Sequence, residues 1–236
     1  MLAGMTPGDR PAFALPPASG SLAQAYRLRR AESARDWEEV ESLRHAGLAS
    51  RGEILPSAPS SMRDEIDSAP NTITFVLAAE GQALGTTRSS VTSALRRAPL
   101  PAQRVFSREI VAAFGADATV VEASLTFVDV LLAHDPRDAL FRLFKAHMLH
   151  CAAVEADALV VTARLPQLGF YRRSLNMEIL SGAEAWPGMA TPRVLMGVAL
   201  RQHAPALLRR LPVFGATPEE ERAFAGLQGS SASAGP

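Results

Sequence analysis

A single glutamate stands inside an otherwise apolar run at residues 119–128 (TVVEASLTFV). Strict alternation in a strand gives this segment one apolar and one polar face. The apolar face holds Val121, Ala123, Leu125 and Phe127, and the polar face holds Glu122, Ser124 and Thr126. A carboxylate in an apolar strand is costly to bury unless it is paired or functional. Glu122 is therefore a candidate general base, and a structural ion pair with a neighbouring arginine is an equal alternative.

Two arginines are candidates for binding a carboxylate, because a guanidinium matches that group with two parallel hydrogen bonds. Arg88 shares one face of the segment 84–91 with Leu84, Thr86 and Ser90. It is also a candidate ion-pair partner for Glu122. Arg44 lies at the edge of the apolar stripe of a helix predicted at 34–47, where an exposed arginine that only covers apolar surface is the alternative.

The run 165–180 (LPQLGFYRRSLNMEIL) carries an aromatic pair, Phe170 and Tyr171, on a short helix that precedes a strand. A buried tyrosine more commonly packs with a satisfied hydroxyl than acts in catalysis. His147, His150 and Cys151 lie close together on a predicted helix. No further residue lies at a spacing typical of metal ligands, so we predict no metal site.

Strand-like and helix-like segments alternate along the chain, which favours an α/β or α+β fold with helices packed on a sheet. Strands are predicted at 26–31, 72–79, 84–91, 119–128, 158–163, 177–180 and 194–200. Helices are predicted at 34–47, 102–114, 135–154, 168–174 and 205–211. One domain over residues 23–213 is expected, between an N-terminal tail (1–22) and a C-terminal tail (214–236) that are poor in anchoring side chains.

The composition excludes several classes of protein. The 236 residues include 24 basic and 24 acidic side chains, so no overall field recruits nucleic acid. The single cysteine, Cys151, excludes an intrachain disulfide. No apolar run approaches the roughly 20 residues that a transmembrane helix needs, and no signal peptide begins the sequence. A cytoplasmic protein without a membrane span is expected.

The motifs above, in their order, resemble those of GNAT acyltransferases, in the branch of N-acyl amino acid synthases and acyl-homoserine-lactone (autoinducer) synthases. The run 62–90 (MRDEIDSAPNTITFVLAAEGQALGTTRSS) is similar to that branch's Asp pair and Gly-x-x-Arg hairpin. The run 122–129 (EASLTFVD) resembles its Glu-Ser-Ser-Arg-x-x-Val-Asp strand, with Leu125 in place of the arginine. Arg44 in SLRHAGL resembles its early helix-end arginine, and the FYRR..NME run resembles the end of the GNAT fold.

The resemblance implies a largely antiparallel mixed sheet with helices on both faces, and an N-acyltransferase. Glu122 would then be the base and Tyr171 the acid that protonates the departing thiolate. The substrate-binding residues would be Arg44, Asp64, Asp67, Arg88 and Ser124. The fatty chain would lie among apolar groups of the core near Phe127, Phe141 and Phe144, and simple core packing is the alternative for these rings.

The resemblance also implies the co-substrates: an acyl-phosphopantetheine thioester, no tightly bound cofactor, and a small amino acid-like acceptor. The turn 134–138 (HDPRD) lacks the glycines that cradle a pyrophosphate, which favours acyl carrier protein over coenzyme A as donor. Carrier proteins are acidic, and a basic docking patch is predicted at Arg137, Arg142, Lys145, Arg172 and Arg173. Solvation of the long helix by an Asp138–Arg142 pair is the alternative. The alternative functions are a coenzyme A-dependent N-acetyltransferase and a non-catalytic GNAT-like module that binds an acyl ligand or a protein partner.

Overall fold

The computed structural model describes residues 26–54, 61–95 and 98–229. One seven-stranded sheet runs through these residues. Its strands are β1 (Arg27–Arg30), β2 (Thr72–Ala79), β3 (Gln82–Thr92), β4 (Val120–Val128), β5 (Ala158–Ala163), β6 (Glu178–Glu184) and β7 (Arg193–Ala199). The strand order is β1-β2-β3-β4-β5-β7-β6. Only β4 and β5 pair in parallel within it, so the prediction of a mixed, largely antiparallel sheet is confirmed.

The described residues form six α-helices that pack on the sheet: α1 (Ala34–Ala49), α2 (Gln103–Phe114), α3 (Pro136–Ala153), α4 (Leu168–Leu175), α5 (Leu200–Arg210) and α6 (Pro218–Gly229). Alternation along β4 and β5 separates two apolar cores. Val120 and Val160 pack against Ile110 of α2. Val121 and Leu159 face the larger core, to which the last four helices contribute. The sheet is therefore covered on both faces, as predicted.

Local signals in the sequence explain where several elements begin. Ser33 and Asp36 form a reciprocal capping box at the start of α1, with Asp36 N 3.2 Å from Ser33 Oγ. Glu80 and Gly81 both have positive φ in the two-residue turn between β2 and β3, the conformation that a tight hairpin requires.

Two of the predicted helix boundaries are wrong by more than one residue. The stop expected at Gly47 is wrong, because α1 continues to Ala49. Gly47 instead permits a close approach: a Cβ there would lie 2.1 Å from the Phe127 ring. Helix α5 begins at Leu200 rather than at 205, and Pro205 lies inside it.

The chain past residue 213, for which a C-terminal tail was predicted, contains helix α6. Phe214 and Phe224 are buried in the larger core, and Phe224 lies 5.8 Å from the Phe75 ring. These two widely spaced aromatic side chains anchor the segment in the core. Its composition is otherwise poor in large apolar residues, and a tail was therefore predicted. The N-terminal tail (1–22) lies outside the described residues. No helix in the described parts of the chain is long and apolar enough to cross a membrane.

Candidate active site

The centre of the sheet opens between its two parallel strands. β4 pairs with β5 only from Val120 to Ala123, although β4 continues to Val128. Leu125 has a φ of 48° and marks a bulge, where Leu125 and Thr126 together oppose Thr87 of β3. Beyond the bulge the two strands separate, and the opening continues into a cavity of about 380 Å³.

The bulge corrects the predicted faces of β4. Thr126 was placed on the face of Glu122 and Ser124, but its hydroxyl lies 2.7 Å from Thr87 Oγ1, on the α3 side. Phe127 was placed with Val121 and Ala123, but its ring packs against α1. Strict alternation fails because a residue in the left-handed region shifts the period by one.

Glu122 is fully buried beneath the opening. Its Oε2 accepts a hydrogen bond from Ala102 N at 2.7 Å, and its Oε1 has no partner among the described residues. Burial raises the pKa of Glu122 to about 7, against the opposing effects of the Ala102 N–H and the Arg88 charge. The carboxyl therefore changes charge near neutral pH, which suits a general base. The alternative pairing with Arg88 is not seen.

The predicted substrate-binding residues form one cluster beside the opening. Arg44 and Asp67 make two hydrogen bonds, at 2.7 and 2.8 Å, and both side chains are almost completely buried. Arg88 donates to Asp64 at 2.6 Å and to Ser124 Oγ at 3.1 Å. All five residues are thus brought together, and all except Asp67 line the cavity.

Charge within this cluster is balanced. Burial alone would raise the pKa of Asp67, but the hydrogen bonds and charge of Arg44, with the charge of Arg88, hold it well below its usual range. Arg44 also donates to the carbonyl oxygen of Met62 at 2.9 Å. Its terminal nitrogens are therefore engaged within the protein. A contact of Arg44 with a substrate carboxylate stays a prediction.

A second charged cluster lines the other end of the cavity, and the sequence did not predict it. Glu53, 1% exposed, accepts a hydrogen bond from Arg193, and Arg164 Nε lies 2.8 Å from its other oxygen. Arg51 also lines this end, with its guanidinium 4.9 Å from the centre of the Phe127 ring. Because 140 residues separate Glu53 from Arg193, no local spacing could have revealed this cluster.

Tyr171 of α4 reaches the same end of the cavity. Its ring packs edge-on against Phe144 and Phe170, and no described residue hydrogen-bonds its hydroxyl. Burial raises the pKa of Tyr171 to about 12, while the charges of Arg51 and Arg164 act in the opposite direction. The phenol is therefore protonated at neutral pH and available as a donor. Phe141 and Phe144, expected near a fatty chain, lie in the core on the α3 side, and Phe144 contacts Tyr171.

A chain of hydroxyl groups connects the cavity to a buried histidine. Thr126 lines the cavity and contacts Thr87, whose hydroxyl lies 2.8 Å from His147 Nε2. Burial, with the nearby His150, lowers the pKa of His147 to about 3, so the ring is neutral. His150 contacts Ser89 at 2.8 Å. These histidines serve buried polar contacts, and no cluster suited to a metal ion occurs among the described residues.

The predicted docking residues do not form one free basic patch. Arg142 pairs with Asp138 at 2.8 Å, as the alternative predicted, and Lys145 pairs with Glu220 at 2.6 Å. Glu220 belongs to α6, which the sequence did not predict. Arg137, Arg172 and Arg173 are exposed.

The turn between β4 and α3 offers few free backbone donors. Asp129 Oδ1 accepts from the amides of Leu131 and Leu132, and Asp135 Oδ1 accepts from those of Arg137 and Asp138. These carboxylates occupy the amides that a phosphate at a helix start would need. The tip of the turn is apolar, with Leu131 92% exposed and Val130 67% exposed.

Comparison with known proteins places this geometry in context. Residues 39–199 match the family model of the N-acyl amino acid synthase FeeM. No curated protein matches the sequence at a significant level. Solved structures resemble it in fold at low sequence identity, and they confirm the predicted GNAT-like fold.

Three of these structures illustrate the likeness. FeeM, an N-acyl amino acid synthase from uncultured soil microbes, superposes with a TM-score of 0.62 at 16% identity, covering 75% of this chain and 92% of its own. BjaI, a coenzyme A-dependent acyl-homoserine lactone synthase, superposes with a TM-score of 0.54 at 15% identity, covering 83% of this chain and 91% of its own. The acyl-homoserine lactone synthase LasI superposes with a TM-score of 0.55 at 13% identity, covering 74% of this chain and 89% of its own.

Proposed function

The chain belongs to the family of the N-acyl amino acid synthase FeeM, and from that premise we propose that this acyltransferase moves a fatty acyl group from an acyl carrier protein thioester to the amine of an amino acid-like acceptor. The observation that carries the proposal is the opening between β4 and β5. Tyr171 and two charged clusters line the cavity that continues from this opening, and the buried Glu122 lies on β4 just before the strands separate.

Glu122 accepts the first proton in the proposed mechanism. An acceptor amine must lose a proton from its ammonium form before its lone pair can attack a carbonyl carbon. Glu122 lies behind the cavity wall, so this proton reaches it through a bridging water. A carboxyl group with a pKa of about 7 is half ionised at neutral pH, and its unpartnered Oε1 is the accepting atom.

The free amine then attacks the thioester carbonyl carbon. Strand separation past Ala123 leaves backbone groups of β4 without strand partners on the β5 side, and these are the proposed donors to the oxyanion. As the C–S bond breaks, Tyr171 donates its proton to the departing sulfur. The remaining extra proton of the nitrogen passes to the Tyr171 phenolate through water, which restores the phenol and yields an amide and a free thiol. Glu122 then releases the first proton to solvent.

Carrier protein is favoured over coenzyme A because of the β4–α3 turn. Four amides of this turn are already bonded to Asp129 and Asp135, and both carboxylates would repel a pyrophosphate. The exposed apolar tip, Val130 and Leu131, with the exposed Arg137, suits contact with an acidic protein surface. Transfer from acyl-coenzyme A is the second candidate, favoured by the likeness to BjaI.

Incubation of the purified protein with acyl carrier protein thioesters and a panel of amino acids tests the proposal. Formation of N-acyl amino acids, detected by mass spectrometry together with release of free thiol, is expected. Acyl-coenzyme A donors with the same acyl chains should have a kcat/KM at least about tenfold lower, because they lose a charge-assisted contact with the protein and such a contact contributes about that factor. Failure to form an amide from either donor would contradict the proposed activity.

A further inference from the structure

The two charged clusters of the cavity differ in charge. Arg44 and Arg88 are matched by Asp67 and Asp64, so this cluster is neutral. Arg51, Arg164 and Arg193 surround Glu53 alone. Three guanidinium groups and one carboxylate leave an excess of two positive charges at this end of the cavity.

Other charges do not remove this excess. Two further cavity arginines are engaged elsewhere: Arg104 pairs with Glu65, and Arg63 stacks over Trp37 with its carbon 4.1 Å from the ring centre. Arg193 is held by Thr191 as well as by Glu53. Arg51 has no carboxylate within ion-pair distance among the described residues.

The pKa of Arg51 responds to this surplus. Burial lowers it first, and the charge of Arg164 lowers it further, against the opposing effect of Glu53. Clustered cations that are partly removed from water are stabilised when an anion binds between them. The guanidinium carbon of Arg51 lies 4.9 Å from the centre of the Phe127 ring, and both side chains line the cavity.

The geometry points to a carboxylate site in which Arg51 and Arg164 bind the free carboxylate of the acceptor, at the Tyr171 end of the cavity. This inference rests on the proposed function and deepens it, because it restricts acceptors to amines that carry a carboxylate. It moves carboxylate recognition away from Arg44 and Arg88, whose charges Asp67 and Asp64 already neutralise.

Calorimetric binding to the full-length protein tests the site without requiring turnover. The probes are N-octanoyl-leucine and its uncharged counterpart N-octanoyl-leucinamide at pH 7. The acid should bind at least about tenfold more tightly, as expected for a charge-assisted pair. Arg51→Gln should remove most of this difference while leaving the affinity for the amide unchanged.

Controls separate a charge effect from damage to the fold. Arg209→Gln, on the exposed surface of α5, should leave both affinities unchanged. Arg164→Gln should weaken acid binding as Arg51→Gln does, with thermal unfolding measured because Arg164 contacts buried Glu53. Equal affinity of wild-type protein for acid and amide, or an Arg51→Gln variant that keeps the full preference, would overturn the carboxylate site.

The donor is an alternative source of the anion, since phosphopantetheine carries a phosphate. If Arg51→Gln weakened phosphopantetheine binding and spared N-octanoyl-leucine, the inference would be overturned. Its failure is also distinguishable from that of the proposed function. Equal acylation of leucine and leucinamide would contradict the carboxylate site and leave the proposed acyltransferase activity intact. Tight binding of the acid without any acyl transfer would support the carboxylate site and contradict the proposed activity.

Discussion

Two buried carboxyl groups near the same opening have opposite pKa shifts, because their neighbours differ. Asp67 receives two hydrogen bonds from Arg44, and its pKa falls well below its usual range. Glu122 receives one backbone hydrogen bond, and its pKa rises to about 7. The first is permanently ionised and structural. The second titrates at neutral pH, which is the property a base in this reaction needs.

The rate of acyl transfer should therefore depend on pH through Glu122. Only the ionised carboxylate accepts a proton, so kcat/KM should rise with pH and level off above about 7. Arg88 favours the ionised form, and Arg88→Gln should move the midpoint of this rise to higher pH. Initial rates of thiol release, measured at intervals from about pH 5 to about pH 9, would give the midpoint for each variant.

Two variants delimit this prediction. Arg104→Gln removes another cavity arginine, one paired with Glu65, and should leave the midpoint in place. Glu122→Gln should lower kcat by a factor on the order of 100 or more. A midpoint that stays fixed in Arg88→Gln, or a Glu122→Gln variant with wild-type turnover, would rule out Glu122 as the titrating base.

At the scale of elements, the sequence indicated most strands and helices but not how β4 bends. Residue types and alternation located β4, but its register with β3 was not predicted, because α2 and its loops separate the two strands in sequence. The bulge at Leu125 depends on a backbone conformation that leucine rarely adopts, and no local signal announced it. Because the bulge decides where Thr126 and Phe127 point, the side chains that line the cavity could be predicted only in part.

The β4–α3 turn is the element that should distinguish a protein-bound donor from a small one. Leu131→Asp places a charge on the apolar tip and should raise the KM for an acyl carrier protein thioester about tenfold, through repulsion by the acidic carrier. The KM for acyl-pantetheine, which lacks the protein, should not change. Initial-rate measurements with the two donors would show the split.

Leu95→Asp is the matched control for the turn. Leu95 is 97% exposed and follows β3, at the opposite end of the sheet from the β4–α3 turn. It should leave both KM values unchanged. Equal effects of Leu131→Asp on the two donors would place carrier docking elsewhere on the surface.

At the scale of the whole molecule, one face of the sheet carries the larger apolar core and the other carries the charged clusters of the cavity. α3, α4, α5 and α6 build the larger core, whereas the charged clusters lie toward α1 and the β6–β7 connection. The resemblance to GNAT acyltransferases implied helices on both faces of the sheet, and periodicity indicated only helices packed on a sheet. Neither could predict long-range pairs such as Glu53 with Arg193 or Lys145 with Glu220, because each joins segments that are adjacent only after folding.

Helix α6 should contribute to global stability although its sequence is polar. Phe224→Ala removes a ring packed against Phe75 and His150, and should lower the free energy of unfolding by about 3 kcal/mol. Arg222→Ala, on the exposed side of the same helix, should cost little. Urea unfolding compares the two. An unchanged midpoint for Phe224→Ala would mean that α6 does not pack on the core.

The central claim is that this acyltransferase joins a fatty acyl group to the amine of an amino acid-like acceptor. Mass spectrometry of lipids from a bacterial host that overproduces the protein tests it most directly, with the Glu122→Gln variant produced at the same level for comparison. The account predicts new N-acyl amino acids with the wild-type protein and their loss in the variant. Absence of any new N-acyl species with the wild-type protein, or the same species with both, would contradict it.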